Sequence, residues 1–193
     1  QEIAILYRNN SDAFSISKEL RRAGVPHAVE STENLLLDEM TWKITLLLKS
    51  INNLSDNPSL SEALYLDFLG LSSYDVHKII SRANKDKKDI FDVIKNVEKI
   101  KDLSLDTIKV KEIQNLLERL ANISKNRHFL DALEIIISES GLLSYVLKNG
   151  QEDFLKLEDF FNQAKEISGN ALNYRLSDFV DHLALMEEHE LVI

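Results

Sequence analysis

The chain has 193 residues, of which 44% are hydrophobic, which is enough for one large domain or two small ones with a true core. It contains no cysteine, which excludes a disulfide scaffold, and no apolar run approaching the ~20 residues of a membrane span, so no transmembrane segment is predicted. A formal net charge of −9 argues, on bulk charge alone, against nucleic-acid binding.

The first thirty residues predict one β-α-β unit. Residues 2–7 are short, apolar and β-favourable, and a polar turn with good helix-capping residues follows them. An amphipathic pattern then runs from Phe14 to Ala23 and stops at Gly24, with Pro26 close behind. Residues 27–29 resume an extended pattern, which completes the unit.

Helical periodicity dominates after this unit. In the first long helix, Trp42, Leu46, Leu47 and Ile51 are expected to share one buried stripe. The predicted helices cover residues 35–51, 60–69, 72–82, 89–99, 106–123, 129–138, 142–148, 152–167 and 176–188. Residues 190–193 have strand character again.

A lone β-α-β unit cannot form a stable sheet, because a parallel pair of strands needs neighbours and cover on both faces. The pattern therefore predicts an α+β fold that is predominantly α. In this interpretation a small β-α-β piece of a larger domain precedes an all-helical insertion, and the chain is a piece of a longer protein.

Charge is distributed unevenly along the chain. Residues 82–111 contain nine basic and six acidic residues, a net charge of +3 against −12 for the remainder. Within this stretch, Lys85, Lys87 and Lys88 could contact DNA, or they could form a solvated loop whose field Asp86 and Asp89 cancel.

Other polar and aromatic residues carry weaker signals. His182 and His189 lie among carboxylates, but a seven-residue spacing is not a metal signature, so we interpret them as a solvated helix end and predict no metal site. Tyr74 and His77 could flank a phosphate, although packing is the expected role of Tyr74. Core packing is also expected for the aromatic residues at helical positions, which are Trp42, Phe91, Phe129, Phe160 and Phe161.

Several segments resemble one family of motor proteins. Ile3-Ala4-Ile5-Leu6-Tyr7-Arg8-Asn9-Asn10, with the helix and residues 20–26 that follow, is similar to motif IV of the UvrD, Rep and PcrA helicases, which form superfamily 1A. Residues 44–53 and 60–72 continue that family's order of a long helix, a loop and a glycine-containing turn. Residues 139–143, 155–160 and 176–185 resemble its inserted subdomain, called 2B.

The resemblance implies two structural regions. Residues 1–100 would be the N-terminal part of the RecA-like motor domain 2A, including motif IV. Residues 101–193 would be a helical 2B-like insertion, ending at the strand before the next helicase motif.

It also implies an enzymatic parent, an ATP-dependent 3′–5′ DNA helicase. Arg8 would be the catalytic and nucleotide-binding residue, reaching the γ-phosphate across the cleft between motor domains. The parent would use ATP and Mg²⁺. The sequence has no phosphate-binding loop, so we expect no cofactor and no ATP hydrolysis from this piece alone.

The expected DNA contacts are Lys85, Lys87, Lys88, Lys109 and Lys111. Lys109 and Lys111 fall where the family has a turn-and-helix element near duplex DNA, although helix-face pairs with carboxylates such as Glu112 would also explain them. Expected partners are single-stranded DNA and its junctions with duplex, motor domain 1A, and repair or recombination proteins, in the cytoplasm and without a membrane. The alternative is a helical protein-interaction module from a degenerate helicase-like protein, which the net acidity favours.

Overall fold

The computed structural model describes residues 38–100, 105–169 and 171–188, together with residues 3–5, 16, 20 and 25. In these ranges the chain forms nine α-helices and two short 3₁₀ helices, η1 (Asp67–Leu69) and η2 (Val97–Lys99). The α-helices are α1 (Glu39–Asn52), α2 (Asn57–Ala63), α3 (Ser73–Asp86), α4 (Ile90–Lys95), α5 (Thr107–Asn126), α6 (Phe129–Glu139), α7 (Leu142–Asn149), α8 (Gln151–Ser168) and α9 (Leu176–Glu188).

The predicted α+β fold class is wrong, because the described part of the chain is helical and contains no β-strand. Residues 3–5, the described part of the first predicted strand, have no regular secondary structure. Ile3 is 87% exposed and Ile5 49%, so neither has the neighbours that a buried strand requires. The rest of the β-α-β prediction and the strand at residues 190–193 fall largely outside the described residues.

Side-chain caps explain where several helices begin. The Asp38 carboxylate accepts hydrogen bonds from the backbone N–H groups of Met40 (2.8 Å) and Thr41 (3.2 Å) at the start of α1. Asp106 caps α5 in the same way through the N–H of Lys109 (3.0 Å). Each cap satisfies backbone donors that the first helical turn leaves unpaired.

Helix α1 lies at the centre of the fold and packs against α2, α5, α8 and α9. Ile44, Leu47, Leu48 and Ile51 on this helix are fully buried or nearly so. The buried apolar cluster around them draws on helices before and after residue 100. The domain boundary near that residue stays a prediction.

The expected packing of aromatic residues is confirmed for four of five positions. Phe91, Phe129 and Phe160 are buried, and Phe161 packs half-buried against the core. Trp42 is the exception, because 46% of it is exposed. The predicted stripe on α1 is therefore wrong for this residue.

Membrane insertion finds no support in the helices. Of those the structure describes, not one combines the length and the apolar composition needed to cross a bilayer.

Lys43 connects three parts of the fold. Its Nζ donates to the hydroxyl of Tyr145 on α7 (2.8 Å) and lies 2.8 Å from a carboxylate oxygen of Glu39 and 3.7 Å from one of Asp67. Only 11% of the lysine side chain is exposed. Burial alone would lower the pKa of Lys43, but the hydrogen bonds with Glu39 and Tyr145 outweigh it and raise the pKa.

We expect Lys43→Met to lower the free energy of unfolding by about 1–2 kcal/mol, because Tyr145 loses its hydrogen-bond partner. Denaturant titration measures this loss. A group whose pKa is raised on folding contributes stability below its unfolded pKa and loses it only as pH rises through the folded value. The loss should therefore be constant across neutral pH. The exposed Lys85→Met is the control, and equal stabilities of the two variants would contradict the prediction.

Candidate nucleic-acid interface

Three of the predicted DNA-contacting lysines lie together at the C-terminal end of α3. Lys85 is in its last turn, Lys87 caps it with a φ of +52°, and Lys88 follows. The N–H of Lys88 donates to the carbonyl of Ala83 (3.0 Å), which closes the helix end. We call Lys85, Lys87 and Lys88 the lysine turn; all three are exposed.

The acidic residues beside the lysine turn point their carboxylates elsewhere. Asp86 forms an ion pair with Arg82 on α3 (2.7 Å), and Asp89 accepts a hydrogen bond from the side chain of Asn57 (3.1 Å). No ion pair joins any lysine of the turn to a carboxylate that the structure describes. The sequence alone left open whether these aspartates neutralise the positive charge of the lysine turn. Their contacts show that both have other partners.

A cleft of about 450 Å³ lies beside the lysine turn, between the end of α3, α4 and η2. Its charged lining consists of Arg82, Lys88 and Lys99 on the basic side and Asp86 and Asp92 on the acidic side. Arg82 and Asp86 pair with each other, so their charges cancel. The remaining charged groups of the lining are Lys88, Lys99 and Asp92, which together carry a net charge of +1. Such a cleft can accept a single anionic group.

Arg82 and Lys99 belong to the basic stretch but were not predicted as contacts. The sequence signal for them was their position, since both lie within residues 82–111, a stretch of positive net charge. The sequence does not show that chain folding brings them to the same cleft as Lys88.

Lys109 lies at a different place, against the turn at Gly70. A Cβ built on Gly70 would sit 3.4 Å from Cε and 3.7 Å from Nζ of Lys109. The same Nζ is 3.2 Å from a carboxylate oxygen of Glu112, so the helix-face pair weighed from the sequence is present. Lys111 is half-exposed on the same helix.

The five predicted lysines thus form two groups and not one site. Gly70 and Lys109 lie near the start of α3, and the lysine turn lies at its end. Helix α3 has 14 residues, so at 1.5 Å per residue the groups are roughly 20 Å apart along it. A pair of separated basic groups fits a contact with two points on an extended polyanion.

The N-terminal end of α3 carries further polar groups. The Ser72 hydroxyl accepts from the N–H of Asp75 (3.0 Å) and donates to its carboxylate (2.7 Å). Tyr74 and His77 are exposed, and the Lys78 ammonium lies 4.1 Å from the centre of the Tyr74 ring. The expectation that Tyr74 packs into the core is therefore wrong.

Two predictions concern other regions. Arg8, the predicted catalytic and nucleotide-binding residue, lies outside the described residues, so its role stays a prediction. His182 is exposed, and among the described residues no group of three or more His, Asp or Glu side chains is close enough to hold a metal ion.

Together these features define a class: a helical protein that carries two separate basic groups on an otherwise acidic chain. The chain belongs to the UvrD-like helicase C-terminal domain family, whose model matches residues 1–192. The resemblance to UvrD-like helicases drawn from the sequence is confirmed. No curated protein sequence matches the chain.

Proposed function

We propose that the chain is the part of an ATP-dependent 3′–5′ DNA helicase that contacts DNA and regulates unwinding. In this proposal the described helices hold the single-strand/duplex junction through the lysine turn, with Lys109 and Lys111 as the second contact. Family membership supports the helicase assignment. The observation that carries the DNA contact is the lysine turn, three exposed cations whose acidic neighbours have other partners.

The proposal gives Arg8 a role in the parent protein. An arginine in motif IV would stabilise charge on the transferring phosphoryl group of ATP, because its guanidinium is permanently charged and binds phosphate oxygens as a fork. Motor domain 1A would supply the phosphate-binding loop and the Mg²⁺ ligands. Repair or recombination proteins remain proposed partners.

Binding of a fluorescent duplex with a 3′ single-stranded tail, measured over a range of salt concentrations, tests the DNA contact. We expect Lys85→Glu/Lys87→Glu/Lys88→Glu to weaken binding roughly tenfold to hundredfold at low salt. The slope of log affinity against log salt should fall by about 1 for each phosphate group that the variant no longer binds. Lys109→Glu/Lys111→Glu should weaken binding less, because Glu112 already neutralises part of the field at Lys109.

The matched control is Lys125→Glu/Lys148→Glu/Lys165→Glu, which makes the same change in net charge at exposed positions on α5, α7 and α8. It should keep most of the affinity. Equal losses in the two triple variants would show that only net charge matters. No binding by the unaltered chain, even at low salt, would overturn the DNA contact and favour the protein-interaction module.

A further inference from the structure

The cleft beside the lysine turn differs from the turn itself in its chemistry. It has a volume of about 450 Å³ and lies between the end of α3, α4 and η2. We call it the Asp92 cleft. The lysine turn consists of cations alone, whereas the lining of this cleft includes Asp92 as well as Lys88 and Lys99. The proposed contact with the DNA backbone makes no use of that carboxylate.

The two lysines of the Asp92 cleft have donors to offer a ligand. The Nζ of Lys99 donates to Oδ1 of Asn96 (3.1 Å), and the Asn96 amide donates to the carbonyl of Asp92 (2.8 Å). An ammonium has three N–H donors, so two of those on Lys99 remain. In the part of the chain that the structure describes, no ion pair joins Lys88 or Lys99 to a carboxylate. Both ammonium groups are therefore able to bind an anion.

Asp92 determines which anions suit the cleft. Its carboxylate forms no ion pair with a cation among the described residues. An ionised carboxylate accepts hydrogen bonds and repels other anions. Neither a sulfate nor an internal phosphate of DNA carries an O–H group at neutral pH, so both would meet only repulsion at Asp92. A phosphate that carries a proton donates its O–H to the carboxylate and keeps its other oxygens for the lysines.

The charge of the lining is compatible with such a ligand. Arg82 and Asp86 cancel each other, which leaves the cleft with a net charge of +1. Lys85 and Lys87 lie next to it in the lysine turn and add to the positive field. Inorganic phosphate keeps an O–H group throughout the neutral pH range, and a phosphate monoester gains one as the pH falls towards about 6. An anion of this kind is attracted by the field even though Asp92 is present.

We propose that the Asp92 cleft binds a phosphate group that carries a proton, with Lys88 and Lys99 donating to its oxygens and Asp92 accepting its O–H. Two sources share this chemistry, inorganic phosphate and the 5′-terminal monoester of a DNA strand. The first is independent of the proposed function, and the second rests on it because it requires DNA at the lysine turn. With either source, the cleft discriminates against the internal phosphates that the lysine turn is proposed to bind.

Urea unfolding in phosphate and in sulfate, at equal ionic strength, tests the site without DNA. Both anions stabilise proteins in general, so the difference between their unfolding midpoints is the quantity that matters. A ligand that binds only the folded chain raises the midpoint, and we expect phosphate to raise it more than sulfate does. This difference should disappear in Lys88→Gln/Lys99→Gln. It should persist in Lys125→Gln/Lys148→Gln, which makes the same change in charge at other exposed positions.

Asp92→Asn separates selection by the carboxylate from simple attraction by the lysines. Asparagine has nearly the same shape, but its side-chain amide donates hydrogen bonds as well as accepting them. The variant should therefore bind sulfate more tightly and lose the preference for phosphate. Glu98→Gln, which makes the same change in charge on η2 outside the lining, should keep that preference. Equal effects of the two anions on the unaltered chain, or a preference that survives Asp92→Asn, would overturn the proposal.

Anisotropy of a 3′-labelled single strand, with and without a 5′-phosphate, identifies the source of the phosphate. If the DNA end is the ligand, the phosphorylated strand should bind severalfold more tightly, and Lys99→Gln should remove the difference. Equal binding of the two strands, with the preference for phosphate over sulfate still present, assigns the cleft to inorganic phosphate. Failure to bind either strand overturns the proposed function and not the phosphate site, because the unfolding experiment contains no DNA. Binding of both strands without any preference for phosphate over sulfate does the reverse.

Discussion

Phe129→Ala is expected to lower the free energy of unfolding by about 3–5 kcal/mol. Phe129 is the first residue of α6, and its side chain is fully buried. Its ring stacks on Phe179 of α9 at 4.3 Å and meets the edge of Tyr174 at 5.8 Å. Phe179 in turn contacts Phe160 of α8 at 6.0 Å. Truncating Phe129 therefore leaves a cavity where three helices meet, and it also removes the aromatic pairing energy.

Denaturant unfolding of Phe129→Ala should be compared with that of Phe154→Ala, the same substitution on α8 at a side chain that is 40% exposed. The control should change stability only slightly, because a partly exposed ring buries little surface and leaves no cavity when it is truncated. A loss below about 1 kcal/mol for Phe129→Ala would mean that the site collapses around the gap or that this cluster is not well packed.

Helical periodicity and capping residues were sufficient to locate most of the described helices. The predictions for residues 129–138, 142–148, 152–167 and 176–188 agree with α6 to α9 to within one residue at each end. These segments keep apolar residues at helical spacing throughout and are separated by glycines or polar turns. Local signals and tertiary packing agree there.

Two predicted helices are interrupted, for reasons that periodicity cannot show. Residues 60–69 divide into the end of α2 and η1, yet Leu64, Leu66 and Leu69 all remain buried, so the apolar pattern shows no break. Residues 89–99 divide at Asn96, whose side-chain amide donates to the carbonyl of Asp92 (2.8 Å). Such a bond competes with the helical ladder.

The burial of α1 depends on tertiary packing that its sequence does not specify. Thr41 and Thr45 are almost fully buried although their side chains are polar, whereas the apolar Trp42 is exposed. Four other helices pack around α1, so only a narrow strip faces solvent. The orientation of that strip depends on those helices.

The candidate interface was predicted in part. Local charge identified the lysine turn, because charge counts need only the sequence. Whether the charge of the lysine turn is neutralised depends on the partners of Asp86 and Asp89. The sequence does not show these partners, because Asn57, which bonds to Asp89, lies 32 residues away in the chain. The separation between Lys109 and the turn likewise follows from where α5 packs.

Gly141→Ala is expected to be the most damaging single-methyl addition in the described part of the chain. Gly141 has a φ of +88°, and its added Cβ would lie 2.6 Å from the backbone carbonyl oxygen of Phe68. The backbone conformation alone costs on the order of 1–3 kcal/mol for a residue with a side chain. The collision adds to this, because a backbone oxygen in η1 cannot rotate away as a flexible side chain can.

Gly70→Ala is the matched control, since Gly70 has a φ of +71° but its Cβ would meet only the flexible end of Lys109, at 3.4 Å. Denaturant titration should show a clearly smaller loss for Gly70→Ala. Gly141→Asn separates the two causes, because asparagine tolerates left-handed backbone better than alanine does. Recovery of stability in Gly141→Asn would contradict the collision and leave conformational strain as the whole effect.

The position of Gly141 also determines whether Lys43 can form its contacts. One turn into α7, Tyr145 packs against the Phe68 ring at 5.7 Å and accepts the hydrogen bond from Lys43. Moving α7 away from η1 to accommodate a methyl group would draw the Tyr145 hydroxyl off Lys43. The effects of Gly141→Ala and Lys43→Met should therefore overlap, so the double variant should lose less stability than the two losses summed. Simple additivity would show that α7 keeps its place and that the strain is absorbed within η1.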